Sequence, residues 1–168
     1  MKTKKIVLTG LLTAIAIIIP MIVPVKVVIP PFSATLTAHV PLIIAMFIGP
    51  YSAVFAALGS ALGFTVAMSP VIGARAAVHV FFVVIGSLMI KKKCNIFLVG
   101  FVTMVVHAAS EMLIVYLLFT VFGMDIIGDR GMSVVQSILA IGVSIHHIID
   151  FAIALVIYKA LAKNNKII

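Results

Sequence analysis

Charge is what this chain has least of. Only 10% of its 168 residues are Asp, Glu, Lys or Arg, while 64% are hydrophobic. A water-soluble domain cannot be built from that ratio, because its surface needs charge to stay solvated. A mean hydropathy of +1.39 places the chain in the membrane class. The length leaves room for about six spanning helices and little else. A single membrane domain over 1–168 is therefore expected, with no soluble domain and no internal linker. Cysteine is nearly absent too. Cys94 stands alone, which excludes an internal disulfide and any cysteine metal cluster, and packing is its expected role. Whole motifs are missing. Without G-x-x-x-x-G-K-[ST] the chain has no P-loop route to ATP hydrolysis. H-E-x-x-H and G-x-S-x-G are also missing, and Gly59-Ser60-Ala61-Leu62-Gly63 has the wrong spacing for the second. The expectation is no enzyme activity, no metal and no cofactor in this chain.

The charge that is present is basic, with a formal net charge of +8. Position argues against nucleic acid as its partner. Nine of the twelve Lys/Arg fall in three clusters: Lys2, Lys4 and Lys5; Lys91, Lys92 and Lys93; Lys159, Lys163 and Lys166. Each borders an apolar run, the pattern of cytoplasmic loop ends. With all three clusters on one side, each half of the chain crosses an even number of times and both termini are cytoplasmic. The cations outside the clusters are Lys26, Arg75 and Arg130. The opening M-K-T-K-K and its apolar run mimic a signal peptide. No A-x-A site leads into a polar mature start, so the run is expected to remain as the first helix.

Apolar runs and turn residues predict helices over about 6–22, 35–48, 51–68, 71–90, 96–121 and 132–158. The expected fold is an all-α membrane protein of six transmembrane helices. Gly10 and Ala14 form a small-xxx-small pair on helix 1. Helix 3 carries Ala53, Ala57 and Ala61 with Gly59 and Gly63, which predicts close packing in the middle of the bundle. Pro41 is expected to kink helix 2. Between helices 1 and 2, residues 23–34 hold Pro24, Pro30, Pro31 and Lys26, with weak strand character over 25–29. That segment reads equally well as a structured lid or as an ordinary connection.

The candidate site starts at Arg75 and His79. Four residues apart on a helix, they share a face. An arginine inside a membrane helix costs about 2.5–3.5 kcal/mol on insertion scales, which marks it as a functional candidate. The 1.5 Å rise puts Arg75 about 6 Å and His79 about 12 Å below the outer end of their helix. It puts Glu111 about 15 Å below, and Gln136 and His39 about 6 Å below, the outer ends of theirs. With His107 one turn from Glu111, these six residues are the expected binding set. Arginine grips a carboxylate with paired hydrogen bonds, and histidines meet a ring nitrogen or an amide. A small, flat anionic or zwitterionic ligand suits them. Two other readings compete. Arg75 snorkels to the headgroups, or Arg75 and Glu111 form a purely structural ion pair. His146 and Asp150, also four apart, read as a self-satisfied pair near the inner interface rather than as a proton relay.

Six helices, the proline-bearing first loop, the small-residue first helix and the polar residues of helices 4–6 together resemble the substrate-binding S component of energy-coupling factor (ECF) vitamin transporters. The resemblance covers the whole chain. The run Phe32-Ser33-Ala34-Thr35-Leu36-Thr37-Ala38-His39-Val40-Pro41, the Gly/Ala-rich helix 3 and Arg75-Ala76-Ala77-Val78-His79 are most similar to the niacin branch. The resemblance implies a subunit of the bacterial cytoplasmic membrane that binds a vitamin with high affinity from outside. It implies partners: a membrane scaffold subunit, docked through helix 1, and two cytoplasmic ATPases that use ATP. Gly10 and Ala14 match the small-residue series of that docking helix, and Ile18 breaks it. The cobalt and nickel branch places a histidine after the initiator methionine, where this chain has Lys2, which disfavours metal transport. Another small carboxylate vitamin such as pantothenate, or a self-sufficient proton-coupled carrier, are the alternatives.

Overall fold

The computed structural model describes residues 2–30 and 32–163. Pro31 and Lys166 of the segments named above lie outside the described residues. The described residues are 78% helical. In order it forms α1 (Lys2–Ile22), strands β1 (Lys26–Ile29) and β2 (Phe32–Thr35), α2 (Val40–Ile48), α3 (Pro50–Ala67), α4 (Pro70–Ala77), α5 (His79–Lys91), α6 (Ile96–Thr120) and α7 (Met132–Lys163). Among the described residues, five stretches are helical, long and apolar enough to cross a membrane: Thr3–Ile22, Pro50–Ala67, Pro70–Lys91, Ile96–Thr120 and Met132–Lys163. Their outward faces carry large apolar side chains, such as Leu11, Phe55, Leu62, Phe101 and Ile145, all exposed. Such an exterior belongs in lipid, and polar groups are left for the interior.

Local chemistry sets the helix boundaries. Ser69 Oγ accepts from Ile72 N at 3.3 Å and caps α4. Asn95 Oδ1 accepts from Phe97 N at 2.8 Å at the start of α6. Gly49 joins α2 to α3 at φ 146°, a conformation that suits only glycine, and Pro50 follows at the first helical position. The predicted helix over 71–90 is divided by one tightened turn. Val78 has φ −70°, ψ −7°, and its carbonyl accepts from Phe81 N three residues on. Arg75 therefore lies in the last turn of α4 and His79 begins α5, still one turn apart.

The largest departure from expectation lies before α2. Helix was predicted from about residue 35, but α2 begins at Val40 and has nine residues. That is about 13 Å of helix, short of the ~30 Å hydrocarbon core. Residues 26–29 and 32–35 pair as antiparallel strands instead, with Lys26 opposite Thr35 and Ile29 opposite Phe32. The segment read as a lid or as an ordinary connection thus has strand structure, because Val27, Val28 and Ile29 favour strand and the prolines break helix. Pro41 does not kink α2; it sits in its first turn, where a missing N–H does no harm. Val40 to Met46 are all buried, and α2 is the apolar centre of the bundle. Phe32 of β2 packs with Val135, Leu139 and Val143 of α7, which seats the hairpin on that helix.

Helix α3 packs in the middle, as its small residues predict. Ala53, Ala56 and Ala57 are buried. A Cβ on Gly63 would collide with the Ile17 backbone, and one on Gly59 would lie 3.0 Å from the Thr13 carbonyl oxygen. The backbones of α1 and α3 can approach this closely only through glycine.

Candidate functional site

The site forms where α4, α5, α6 and α7 meet beneath the hairpin. Arg75 Nε donates to Glu111 Oε2 at 2.9 Å, Nη2 donates to the same oxygen, and Nη1 donates to Ser33 Oγ of β2 at 3.3 Å. Arg75 is 3% exposed and Glu111 5%. Arg75 therefore does not snorkel; its guanidinium is held inside the bundle. The other carboxylate oxygen, Glu111 Oε1, faces two imidazoles, His79 Nε2 and His107 Nε2, each at 3.2 Å. His107 Nδ1 lies 3.1 Å from His147 Nδ1, and His147 Nε2 lies 3.1 Å from Thr103 Oγ1. One hydrogen-bonded line thus runs from Ser33 through Arg75, Glu111 and His107 to His147 and Thr103.

A second carboxylate closes the cluster. Asp150 is fully buried. Its Oδ1 accepts from Thr37 N and its Oδ2 from His39 N, both at 2.9 Å. Oδ2 also lies 3.0 Å from His146 Nε2 and 3.1 Å from His39 Nδ1. His146 Nε2 is within 3.1 Å of the Thr35 carbonyl oxygen as well. Asp150 therefore clamps the turn between β2 and α2. Thr37 in that turn sits at φ 69°, a left-handed conformation uncommon for a β-branched residue. The backbone hydrogen bond to Asp150 holds it there.

Two expectations are corrected by this geometry. His39 was placed near a helix end, level with Gln136. Its ring instead lies 4.7 Å from His79, 4.6 Å from His107 and 4.6 Å from His146, near the middle of α7. The reason is the hairpin, which carries the chain into the bundle before α2 starts. His146 and Asp150 were read as self-contained; they bind the hairpin end and the start of α2. Of the expected set, Arg75, His79, His107, Glu111 and His39 come together. Gln136 does not join them, because its Nε2 donates to the Met112 carbonyl at 3.1 Å. Gly10 and Ala14 are exposed on α1 and border a groove of about 1090 Å³ at the lysine-bearing end, with Phe47 and Phe55.

Ser33, Thr37, Thr103 and His147 were not foreseen. Ser33 and Thr37 reach the site only through the hairpin, which no helical spacing reveals. His147 carried a signal, since adjacent histidines on a helix point about 100° apart. His146 therefore meets the hairpin while His147 meets α6.

The cavity lined by Ser33, His39, Arg75, His79, Glu111 and His146 measures about 20 Å³, room for about one water. Its walls offer a guanidinium for an anion and imidazoles for a polar ring. Among the described residues, two trios could hold a metal, His39 with His79 and His107, and His39 with His146 and Asp150; in each, one donor atom per residue lies within 4.8 Å of the others. Comparison with protein-family models, with curated proteins and with solved structures finds no match to this chain.

Proposed function

We propose that this chain is the vitamin-binding S component of an ECF-type importer in a bacterial cytoplasmic membrane, with niacin as its substrate. In this reading α2, with the turn that leads into it from the hairpin, makes the sixth crossing. Both lysine-bearing termini are cytoplasmic, and the hairpin faces outside. The observation that carries the reading is Arg75, a buried arginine at the head of a polar cluster, directly under a hairpin that can act as a lid. A nicotinate carboxylate would take the place of Ser33 or Glu111 on the guanidinium, and His79 or His39 would meet the pyridine nitrogen. Ligand pockets run to about 300–1,000 Å³, so the hairpin must lift to admit a ring. Exposed Gly10 and Ala14 support docking of a scaffold subunit along α1, with ATP consumed by partner ATPases.

Calorimetry with purified chain tests the substrate. Nicotinate is expected to bind tightly, and Arg75→Ala to weaken it about 100-fold or more, as loss of a buried charge pair does. Absence of binding to nicotinate and nicotinamide rejects niacin, and tight binding of pantothenate instead reassigns the vitamin. Unchanged nicotinate affinity in a folded Arg75→Ala removes the role of Arg75. A second reading, a self-sufficient proton-coupled carrier, draws on the continuous line Glu111–His107–His147–Thr103. Uptake by the chain alone in liposomes under a proton gradient supports it, and dependence on added ATPase subunits rejects it.

A further inference from the structure

The vitamin reading uses Arg75 and its neighbours but leaves most of the imidazoles unexplained. The chain has five histidines. His39 has its ring within 6.1 Å of all the other four. Four of the five are 3% exposed or less, and His146 is partly buried. We propose that His39, His79 and His107 bind a divalent late first-row transition-metal ion of the zinc class. This goes beyond the vitamin reading, does not depend on it, and replaces the expectation of no metal.

Distance comes first. One nitrogen from each of the three rings lies within 4.8 Å of the other two. Tetrahedral ligation with metal–nitrogen bonds of about 2.0–2.1 Å needs nitrogens about 3.3 Å apart. Side-chain torsions alone can supply the remaining contraction, since each atom moves by about 1 Å or less toward the ion.

The hydrogen-bond ledger comes second. His39 Nδ1 and His79 Nδ1 are buried with no hydrogen-bond partner among the described residues. His39 Nδ1 is near Asp150 Oδ2, but not aligned for an N–H to donate to it. Buried ring nitrogens are nearly always partnered, so two that are not, on rings 4.7 Å apart, call for a ligand. Their state can be assigned. Glu111, ionised against Arg75, is an acceptor, so His79 Nε2 and His107 Nε2 face it as N–H groups. A neutral imidazole carries one N–H, which leaves a lone pair on His79 Nδ1. A carboxylate holding the far N–H of an imidazole is the arrangement that orients histidine ligands on metals. His107 Nδ1 is shared with His147, so His107 releases either that partner or Glu111 when it ligates.

Charge and ligand type come third. Arg75 offsets Glu111, whereas the salt-bridge partners of buried Asp150 among the described residues are imidazoles. A cation beside His39 would balance that carboxylate. Three imidazoles without a thiolate suit Zn²⁺, Co²⁺ or Ni²⁺, and exclude Mg²⁺ and Ca²⁺, which require oxygen shells.

The test uses the full chain in detergent, purified without a histidine tag and stripped with a chelator. Zn²⁺ is added, excess is removed on a desalting column, and bound metal is counted by elemental analysis. About one equivalent per chain is expected, with a rise in Tm. Co²⁺ in its place should give visible ligand-field bands of a low-coordinate site. His79→Gln and His39→Gln should each weaken retention by more than about 10-fold. Retention equal to wild type in both folded variants overturns the proposal. Should the variants fail to fold, the wild type decides: no Co²⁺ bands and no Zn²⁺-dependent rise in Tm overturn it. Nicotinate binding to the stripped chain is measured in parallel, so that failure of either proposal is read separately.

Discussion

The seam between α1 and α3 and the junction of α4–α7 with the hairpin are both closely packed, by opposite chemistry. In the seam, Gly59 and Gly63 admit the backbone around Thr13 and Ile17. Among the described residues no ion pair crosses it; one hydroxyl–hydroxyl hydrogen bond does, Thr9 Oγ1 with Ser52 Oγ at 2.6 Å, and the rest of the attraction is dispersion between surfaces that fit. In the junction, Arg75, Glu111, Asp150 and the histidines hold one another through directional bonds at 2.9–3.2 Å. Dry seams are tolerant of chemistry and intolerant of volume; polar junctions are the reverse. The junction is also the costlier of the two to bury, which is why function is placed there and not in the seam.

The comparison is broken hardest at Glu111. Glu111→Ala removes the carboxylate that neutralises the Arg75 guanidinium and accepts from two imidazoles. A loss of about 3–5 kcal/mol is expected, read by denaturation in detergent. Replacing both charges, Arg75→Met with Glu111→Leu, should restore most of that stability, because no unpaired charge remains. The same double variant should not bind nicotinate. A double variant that is stable and still binds would reduce the pair to packing.

Asp150→Ala tests the second carboxylate. It leaves the amides of Thr37 and His39 without their acceptor. Each buried orphan costs about 1–3 kcal/mol, so a loss of at least about 2 kcal/mol is expected. Proteolysis within residues 26–39 should accelerate as the turn at Thr37 is released. A hairpin as resistant as in wild type would mean that Phe32, packed on α7, is sufficient to hold it.

Gly63→Ala tests the seam by volume alone. The added methyl would overlap the Ile17 carbonyl, so α1 and α3 must separate. The expected cost is about 1–3 kcal/mol with no change in nicotinate or Zn²⁺ affinity. Weakened binding there would show that the two regions are coupled, which their chemistry gives no reason to expect.

The seam was legible in the sequence because its signal is local: Ala53, Ala57, Gly59 and Gly63 recur at helical spacing, and small residues mean close approach in lipid. Arg75, His79, His107 and Glu111 were legible for the same reason, each being four residues from a partner on its own helix or at matching depth on the next. His39 was named but at the wrong depth, and Ser33 and Thr37 were not found. Depth was counted from helix ends, and that count fails where a hairpin carries the chain inward before the helix begins. The role of Asp150 was hidden likewise, since its partners are backbone amides 111 and 113 residues away. The carboxylate could be found in the sequence, but the turn it clamps could not.

The smallest effect is expected at Gly10, and it separates packing within the chain from docking to a partner. Gly10 shares the small-xxx-small spacing of the seam, yet a Cβ there meets nothing within 4 Å. Gly59 and Gly63, on the facing helix, are already in use against α1. Gly10→Leu should therefore change stability by less than about 0.5 kcal/mol, as at other exposed positions. A small residue that packs on nothing in its own chain is conspicuous where a scaffold is proposed to dock, because leucine would push that scaffold's helix away. Nicotinate binding by the purified Gly10→Leu chain should match wild type, while transport reconstituted with scaffold and ATPases should fall. Wild-type transport in that variant would remove the docking role of this face and leave Gly10 as a lipid-facing residue.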